Sequence, residues 1–447
     1  MRENALFWIW LSQALGAANS DFKTLITLYE NPYELFHADE EELDHIRSVS
    51  ERTVSALADK SLQRATDVMD RCERLGIGIL PYTDPSYPAA LRAIKDPPVL
   101  LYYRGTLPDL NRGLSIAMVG TRKMSAYGMQ SAYKIAYELS LAGVAVVSGM
   151  AAGIDGVCAA AALAAGGVTV AVLGCGLDVI YPRHHKVLME QIEKHGLLLS
   201  EYPPGTRPNT YHFPTRNRII SGMAQGTVVV EAGLKSGSLI TARNAILQGR
   251  DVFALPANVG SKGAEGTNGL LRDGAGMVRS AKDILDAYRY VFAETLNPIL
   301  PERELTESQA DLRYLERMGV IELRSGSKES PPPVQALKSE RTPTKRNAPR
   351  RKSAETESRT EGEHAPTAHE TSHRNPEPKR TSTPDETLSS LSPVQLDILR
   401  AIPDDRAIPA DALCGLGHPY GDLIAALTML EILGLIQKLP GALYTKS

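Results

Sequence analysis

The sequence is poor in the residues that mark several common chemistries. It holds four cysteines in 447 residues, Cys72, Cys158, Cys175 and Cys414, and no CxxC pair. Scattered thiols argue against a disulfide framework or a zinc knuckle and fit a reducing cytosol. No HExxH, GxSxG or GxxxxGK[ST] occurs, so zincin, nucleophile-elbow and P-loop chemistries lack their residues. His184 and His185 are adjacent, the wrong spacing to share a metal on a helix. An excess of positive charge is missing too: 49 Lys and Arg meet 52 Asp and Glu, for a formal net charge of −3. Any contact with nucleic acid must therefore use a local patch. No apolar run is long enough to span a bilayer, so no membrane is expected. Ala5–Leu11, ALFWIWL, loosely imitates a secretory signal. Glu3 spoils a basic start, however, and Leu6, Ile9, Trp10 and Gln13 repeat at helical spacing, so a packed helix is expected.

What is present suffices for two or three domains, with 43% hydrophobic residues to build cores. Residues 1–75 read as a small helical domain, sterile-alpha-motif-like or helix-hairpin-helix. Asn19-Ser20-Asp21 caps a helix through Leu28, Pro32 starts a short one, and Arg52–Leu75 reads as a longer one. Residues 76–295 form the central domain, entered by a Pro- and Tyr-dense extended stretch from Ile77 to Gly105. A helical extension is expected over 296–324. Residues 325–390 have no aromatic side chain and only Val334, Leu337 and Leu388 as large apolar ones, so a disordered linker is expected. In residues 391–447, Ser392-Pro393-Val394-Gln395 fits a capping box, and three helices with a terminal hairpin suggest a winged helix. Its third helix, within Pro419–Gly434, has Asp422 and Glu431 but no Lys or Arg, which favours a protein-contact or structural role over groove reading.

The central domain alternates strand-like and helix-like runs. Expected strands are Ser115–Val119, Val144–Ser148, Val168–Leu173, Leu197–Ser200, Val228–Val230 and Val252–Leu255. Helix-like runs between most of them are Gln130–Leu141, Gly156–Ala165, His185–His195, Arg218–Ala224 and Leu239–Leu247. Strands this continuous in Val, Ile and Leu are buried on both faces, which predicts an α/β fold with a parallel sheet and helices on each side. The carboxyl ends of the strands then share one edge.

That edge collects the unusual residues: Gly120 and Arg122, then Ser148, Gly149 and Gly153 in SGMAAGID, then the FPTRNR run from Phe213, then Lys235, Ser236, Gly237 and Ser238. Between residues 201 and 250 six Lys or Arg face two Glu, so positive charge is concentrated there. A strand emptying through a Gly/Ser turn into a helix leaves amides pointing outward, a site for phosphate. Phe213 reads equally as core or as a base-stacking ring. Arg216 and Arg218, two apart, do not share a helix face, and one of them can brace the fold against Glu201 or Glu231. Asp155 reads as a helix cap. Glu231 is the one carboxylate worth naming as a base, against a hydrogen-bonded loop anchor.

At these residues the sequence resembles the DNA-processing protein A family, also called DprA or Smf. The resemblance runs in order from Tyr87 to about Ala275 through YPAALRAIKDPPVLLYYRG, AMVGTRKMSAYG, VVSGMAAGIDGVCAAAAL, TVAVLGCGLDVIYPRHH, LLLSEYPPG, FPTRNRIISGMAQGTVVVEAGLKSGSLITARNAILQGRDVFALP and GTNGLLRDGA. It implies a Rossmann-like core that binds single-stranded DNA, without known catalytic turnover or cofactor. The implied cytoplasmic role is to protect incoming DNA in natural transformation and help load a RecA-type recombinase, commonly as a homodimer. Carried over by motif, the phosphate-contact candidates are Arg122, Ser148, Gly149, Gly153, Arg216, Arg218, Lys235, Ser236, Gly237 and Ser238. Phe213 is the stacking candidate, with Gly120 and Asn217 in the same motifs. The chain departs from the family at Ala257, where Gly is commoner, which bears on the loop carrying Lys262. The competing readings are a nucleotide sensor and a nucleoside-monophosphate phosphoribohydrolase. The latter's GGxGTxxE loop is replaced here by EAGLKSGS.

Overall fold

The computed structural model describes residues 2–39, 42–43, 49–261, 263–297 and 311–322, then 391–403 and part of 408–446. Two compact units emerge, Met1–Val334 and Gln335–Ser447. The expected linker, 325–390, and Lys262 lie outside the described residues.

The first unit is built on a nine-stranded sheet. Its strands are β1 (Gly78–Pro81), β2 (Leu100–Gly105), β3 (Ser115–Val119), β4 (Ala145–Ser148), β5 (Thr169–Leu173), β6 (Leu197–Ser200), β7 (Gly226–Val229), β8 (Asp251–Ala254) and β9 (Gly276–Met277). Their spatial order is β1-β2-β6-β5-β4-β3-β7-β8-β9. From β6 to β9 every neighbouring pair is parallel. β1 and β2 join antiparallel to each other, and β2 to β6. Strands β3 to β7 are buried at every residue, as their unbroken apolar runs require. Burying each such Val or Leu side chain is worth about 1.5–3 kcal/mol. Helices Ala126–Leu141, Ile154–Ala164, Lys186–His195, His212–Gly222 and Ser238–Leu247 connect the strands. The helix Ala126–Leu141 starts on Ser125, whose Oγ accepts from the Gly128 amide at 3.0 Å.

Two expectations are corrected. The stretch Ile77–Gly105 is not merely extended: it makes β1 and β2, with the helix Ala89–Ala93 between them. Arg92 bonds the Tyr82 and Asp84 carbonyls and lies beside the Tyr82 and Tyr87 rings, which closes the stretch on itself. The long helix expected over Arg52–Leu75 is two, Glu51–Leu57 and Gln63–Leu75. Asp59 breaks it: its carboxylate accepts from the Ser61 amide, and its carbonyl accepts from Trp10 Nε1 at 2.8 Å. The first helix, Arg2–Leu15, buries Trp8, Ile9, Trp10 and Leu11. Among the described residues no helix is long and apolar enough to cross a membrane.

In the second unit the helix Pro393–Ala401 carries the expected capping box between Ser392 and Gln395. Strands β10 (Ile408–Pro409), β11 (Ile436–Leu439) and β12 (Leu443–Lys446) form a sheet in the order β10-β12-β11. Leu423, Leu427 and Leu430 pack with Ile398 and Ile436 in its core.

Candidate nucleic-acid interface

The strand order reverses between β3 and β7: chain order climbs from β3 through β4 and β5 to β6 on one side, and from β7 to β9 on the other. A crevice opens at such a point, because the loops leaving the two strands diverge to opposite faces. Here it is a groove of about 770 Å³. Gly120, Thr121 and Arg122 line it from the end of β3. Gly233–Ser238, after β7, lines the other side, and Phe213, Pro214, Arg216 and Asn217 close one end.

The groove is cationic at its rim. Arg122 and Lys235 are exposed and make no ion pair among the described residues. The helix Ser238–Leu247 opens here with no side-chain cap. The Leu239 and Ile240 amides bond back to the Ser236 and Gly237 carbonyls, while the Gly237 and Ser238 amides have no acceptor among the described residues. The partial positive charge of a helix start adds to that of Lys235. Ser236 and Ser238 share a 2.8 Å hydroxyl bond, and Asn217 Nδ2 reaches the Gly237 carbonyl at 3.4 Å, which fixes the loop to the FPTRNR helix. A Cβ on Gly237 would meet nothing within 4 Å, so this glycine faces open groove.

Arg216 is the floor. It is 4% exposed, yet its guanidinium lines the groove. Nη1 donates to the Gly149 carbonyl at 2.8 Å and to the Val172 carbonyl, and Nε donates to Asn217 Oδ1. Nη2 has no acceptor among the described residues. Burial pushes the guanidinium down and the nearby Asp155 carboxyl up, and each partly offsets the other.

Aromatic side chains form the wall beside Arg122. The Arg122 guanidinium carbon lies 5.4 Å from the Phe213 ring centre, and Tyr181 stacks on Phe213 at 5.3 Å and 27°. Sequence reasoning missed Tyr181. The available signal was an aromatic residue shortly after the Gly174-Cys175-Gly176 turn that follows β5. A small annex of about 40 Å³, bounded by Gly149, Met150, Cys175, Tyr181 and Pro182, opens behind this wall. Burial lifts the Cys175 thiol to about 11, so it stays protonated and is a poor nucleophile.

Several expected contacts sit elsewhere. Arg218 is buried in ion pairs with Glu201 at 2.6 Å and Asp96 at 3.2 Å. The FPTRNR run lies within the helix His212–Gly222, not on a loop entering it, so the two arginines diverge. Arg218 braces the fold: the Glu201 oxygen it holds also accepts from the Ala18 amide at 3.4 Å, tying the N-terminal helices to the sheet. Ser148 spends its hydroxyl on the Met118 carbonyl at 2.7 Å. Gly149 lines the annex, but the space a side chain would fill there holds the Arg216 guanidinium. Gly153 has φ +82°, and a Cβ there would strike the Thr121–Arg122 backbone. The space beside Gly149 and Gly153 is therefore filled by protein atoms, while Ala151 still borders the groove. The Gly149 amide donates to Asp155, which here is a loop anchor, and the Ile154 amide to the Thr121 carbonyl. Glu231 holds Ser125 through both its amide and hydroxyl, at 2.9 and 3.1 Å, as an anchor would.

Comparison with known proteins gives one consistent picture. Residues 78–289 match the family model described as DNA recombination-mediator protein A. DNA processing protein DprA of Bacillus subtilis is 44% identical over 211 residues, covering 47% of this chain and 71% of the relative. Protein Smf of Synechocystis is 32% identical over 369 residues, 81% of this chain and 78% of that one. The crystal structure of DprA from Streptococcus pneumoniae superposes with a TM-score of 0.56 at 36% identity, covering 63% of this chain and 97% of that one. A parallel sheet with its cationic groove at the strand-order reversal, and homology extending over most of the length of such relatives, have one explanation: the chain belongs to the DNA-processing protein A family.

Proposed function

We propose that this protein binds single-stranded DNA without sequence preference, shields it, and hands it to a RecA-type recombinase during natural transformation. The observation that carries the reading is the pairing, across one groove, of unpartnered cationic and amide donors with an aromatic wall. Arg122, Lys235 and the amides of Gly237 and Ser238 suit phosphates, which carry no code. Tyr181 and Phe213 suit bases of any kind, because every base has a π-face; such stacking is worth ~1–3 kcal/mol per base. No catalysis is proposed: Asp155, the one buried carboxylate lining the groove among the described residues, is engaged by backbone amides, and Cys175 is a protonated thiol.

Family membership supports the recombinase partner, a homodimer formed through the central domain, and a cytoplasmic setting. The helix and three-stranded sheet of residues 391–446 fit a winged helix, read here as a protein-contact module. The test is a gel shift with oligonucleotides of graded length, single- and double-stranded, at several salt concentrations. Affinity should rise with length and fall steeply with salt, because several phosphates are neutralised together. If a mononucleotide saturates the groove as tightly as an oligonucleotide, the chain is a nucleotide sensor or enzyme and the polymer reading fails.

A further inference from the structure

Residues 311–322 lie past the family match and run back against the helix Ile154–Ala164 and the His184–His185 turn. Leu315 and Val320 are buried with the core of the first unit. The Tyr314 hydroxyl donates to the Ala160 carbonyl at 3.1 Å, pinning the segment to the helix Ile154–Ala164. Gly319 has φ +74°, and a Cβ there would overlap the His184 carbonyl oxygen. The contact is thus backbone against backbone, with no flexible side chain between.

Beside that contact sits His185, fully buried. Its ring and its backbone meet several parts of the fold. Nδ1 meets the Met150 carbonyl at 3.1 Å, in the loop after β4, so that nitrogen carries the proton. Its backbone amide donates to the Pro182 carbonyl at 3.0 Å. Its Cε1 fills the space where a side chain on Gly156 would stand, and Val320 borders the same space. Met150 and Pro182 both bound the annex, and Pro182 follows Tyr181 directly. His185 is buried with Nε2 unpartnered among the described residues, which costs free energy.

We propose that Asp311–Glu322 is a strap which, through His185, holds the Tyr181–Pro182 wall in its binding position, so that the groove is complete only when the strap is docked. The inference rests on the groove being the DNA site, but its first test does not. Close packing transmits such a displacement, because neighbours cannot absorb an intruding atom without moving.

The experiment uses the full chain carrying Gly319→Ala. Hydrogen exchange, without DNA, should quicken at least tenfold in peptides covering 177–185 and around Met150, and stay unchanged in β7 and β8. Unchanged exchange at 177–185 overturns the strap whatever the chain binds. Single-strand affinity is the second readout. Gly319→Ala should weaken it several-fold, Tyr181→Ala about tenfold, and the double variant no more than Tyr181→Ala alone. Additive losses overturn the route through Tyr181. Where Gly319→Ala unfolds the first unit, Tyr314→Phe, which removes only the bond to Ala160, takes its place with the same expected pattern. Faster exchange in a chain that binds no oligonucleotide would sink the proposed function and leave the strap standing.

Discussion

Removing Arg218 leaves Glu201 and Asp96 facing an empty, mostly buried site. Burial works against its charge, but Glu201 and Asp96 outweigh that and hold the guanidinium more tightly protonated than usual. Arg218→Ala is expected to destabilise the first unit by about 3–5 kcal/mol, because a buried acid loses its partner. Lys235→Ala should do the reverse. Denaturant midpoints stay within error of the parent, while affinity for every single-stranded sequence falls and the salt slope drops by about 1. Chemical denaturation alongside a salt titration reads both, and a Lys235→Ala chain that binds like the parent removes Lys235 from the site. The two cations look alike in sequence, and only packing separates them: one lies on the buried side of a helix, the other on an open turn. The sequence did offer Glu201 as a possible partner for one arginine of FPTRNR, but helical phase decides which one, and the helix starts earlier than its apolar pattern shows. His185 adds a pH signature. Burial lowers its ring to about 4, so between 6.5 and about 4 the unfolded chain binds a proton that the folded one refuses. Stability is full above 6.5 and declines as pH falls through that window, by on the order of 3 kcal/mol. A melting temperature that falls no more steeply in the parent than in His185→Gln would contradict this.

At the scale of elements, the turn before the helix Ser238–Leu247 is the piece most exposed to test. Gly237 has φ −63° and open space where a Cβ would stand, so alanine fits the backbone without strain. Gly237→Ala should leave the melting temperature unchanged or slightly raised, since the unfolded chain loses freedom. Single-strand affinity should nonetheless fall several-fold if DNA approaches that backbone closely. Equal affinity would show that the strand passes elsewhere. This turn was legible because a short apolar strand, small residues and an apolar helix face follow one another in order. Six of the parallel strands were legible for the same reason, their observed ends lying within two residues of those expected, whereas the two-residue β9 was not expected. The glycines misled. Those of SGMAAGID look like a cradle for phosphate, whereas Gly149 makes room for Arg216 and Gly153 for the Thr121 carbonyl. Sequence marks where the backbone needs space but not what fills it. β1 and β2 were hidden by the prolines in and between them and by their pairing, β1 with β2 and β2 with β6, partners no local pattern announces.

On the scale of the molecule, the boundary between compact units at Val334 suggests a cut. A chain ending at residue 334 keeps the groove, its aromatic wall and the strap. It is expected to bind single-stranded oligonucleotides within about threefold of the full chain. Should the shortened protein melt normally yet bind nothing, the second unit is the reader. The cation-free sequence from Pro419 to Gly434 argues against that outcome.

Arg216 reaches from the helix after β6 across the end of β5 to the loop after β4. The groove's base is therefore supplied by residues far apart in the chain and is assembled only when β4, β5 and the helix after β6 have come together. Affinity for DNA should then appear last in refolding, after secondary structure has returned. A graft of the Lys235 loop onto another scaffold would carry the charge but not the grip.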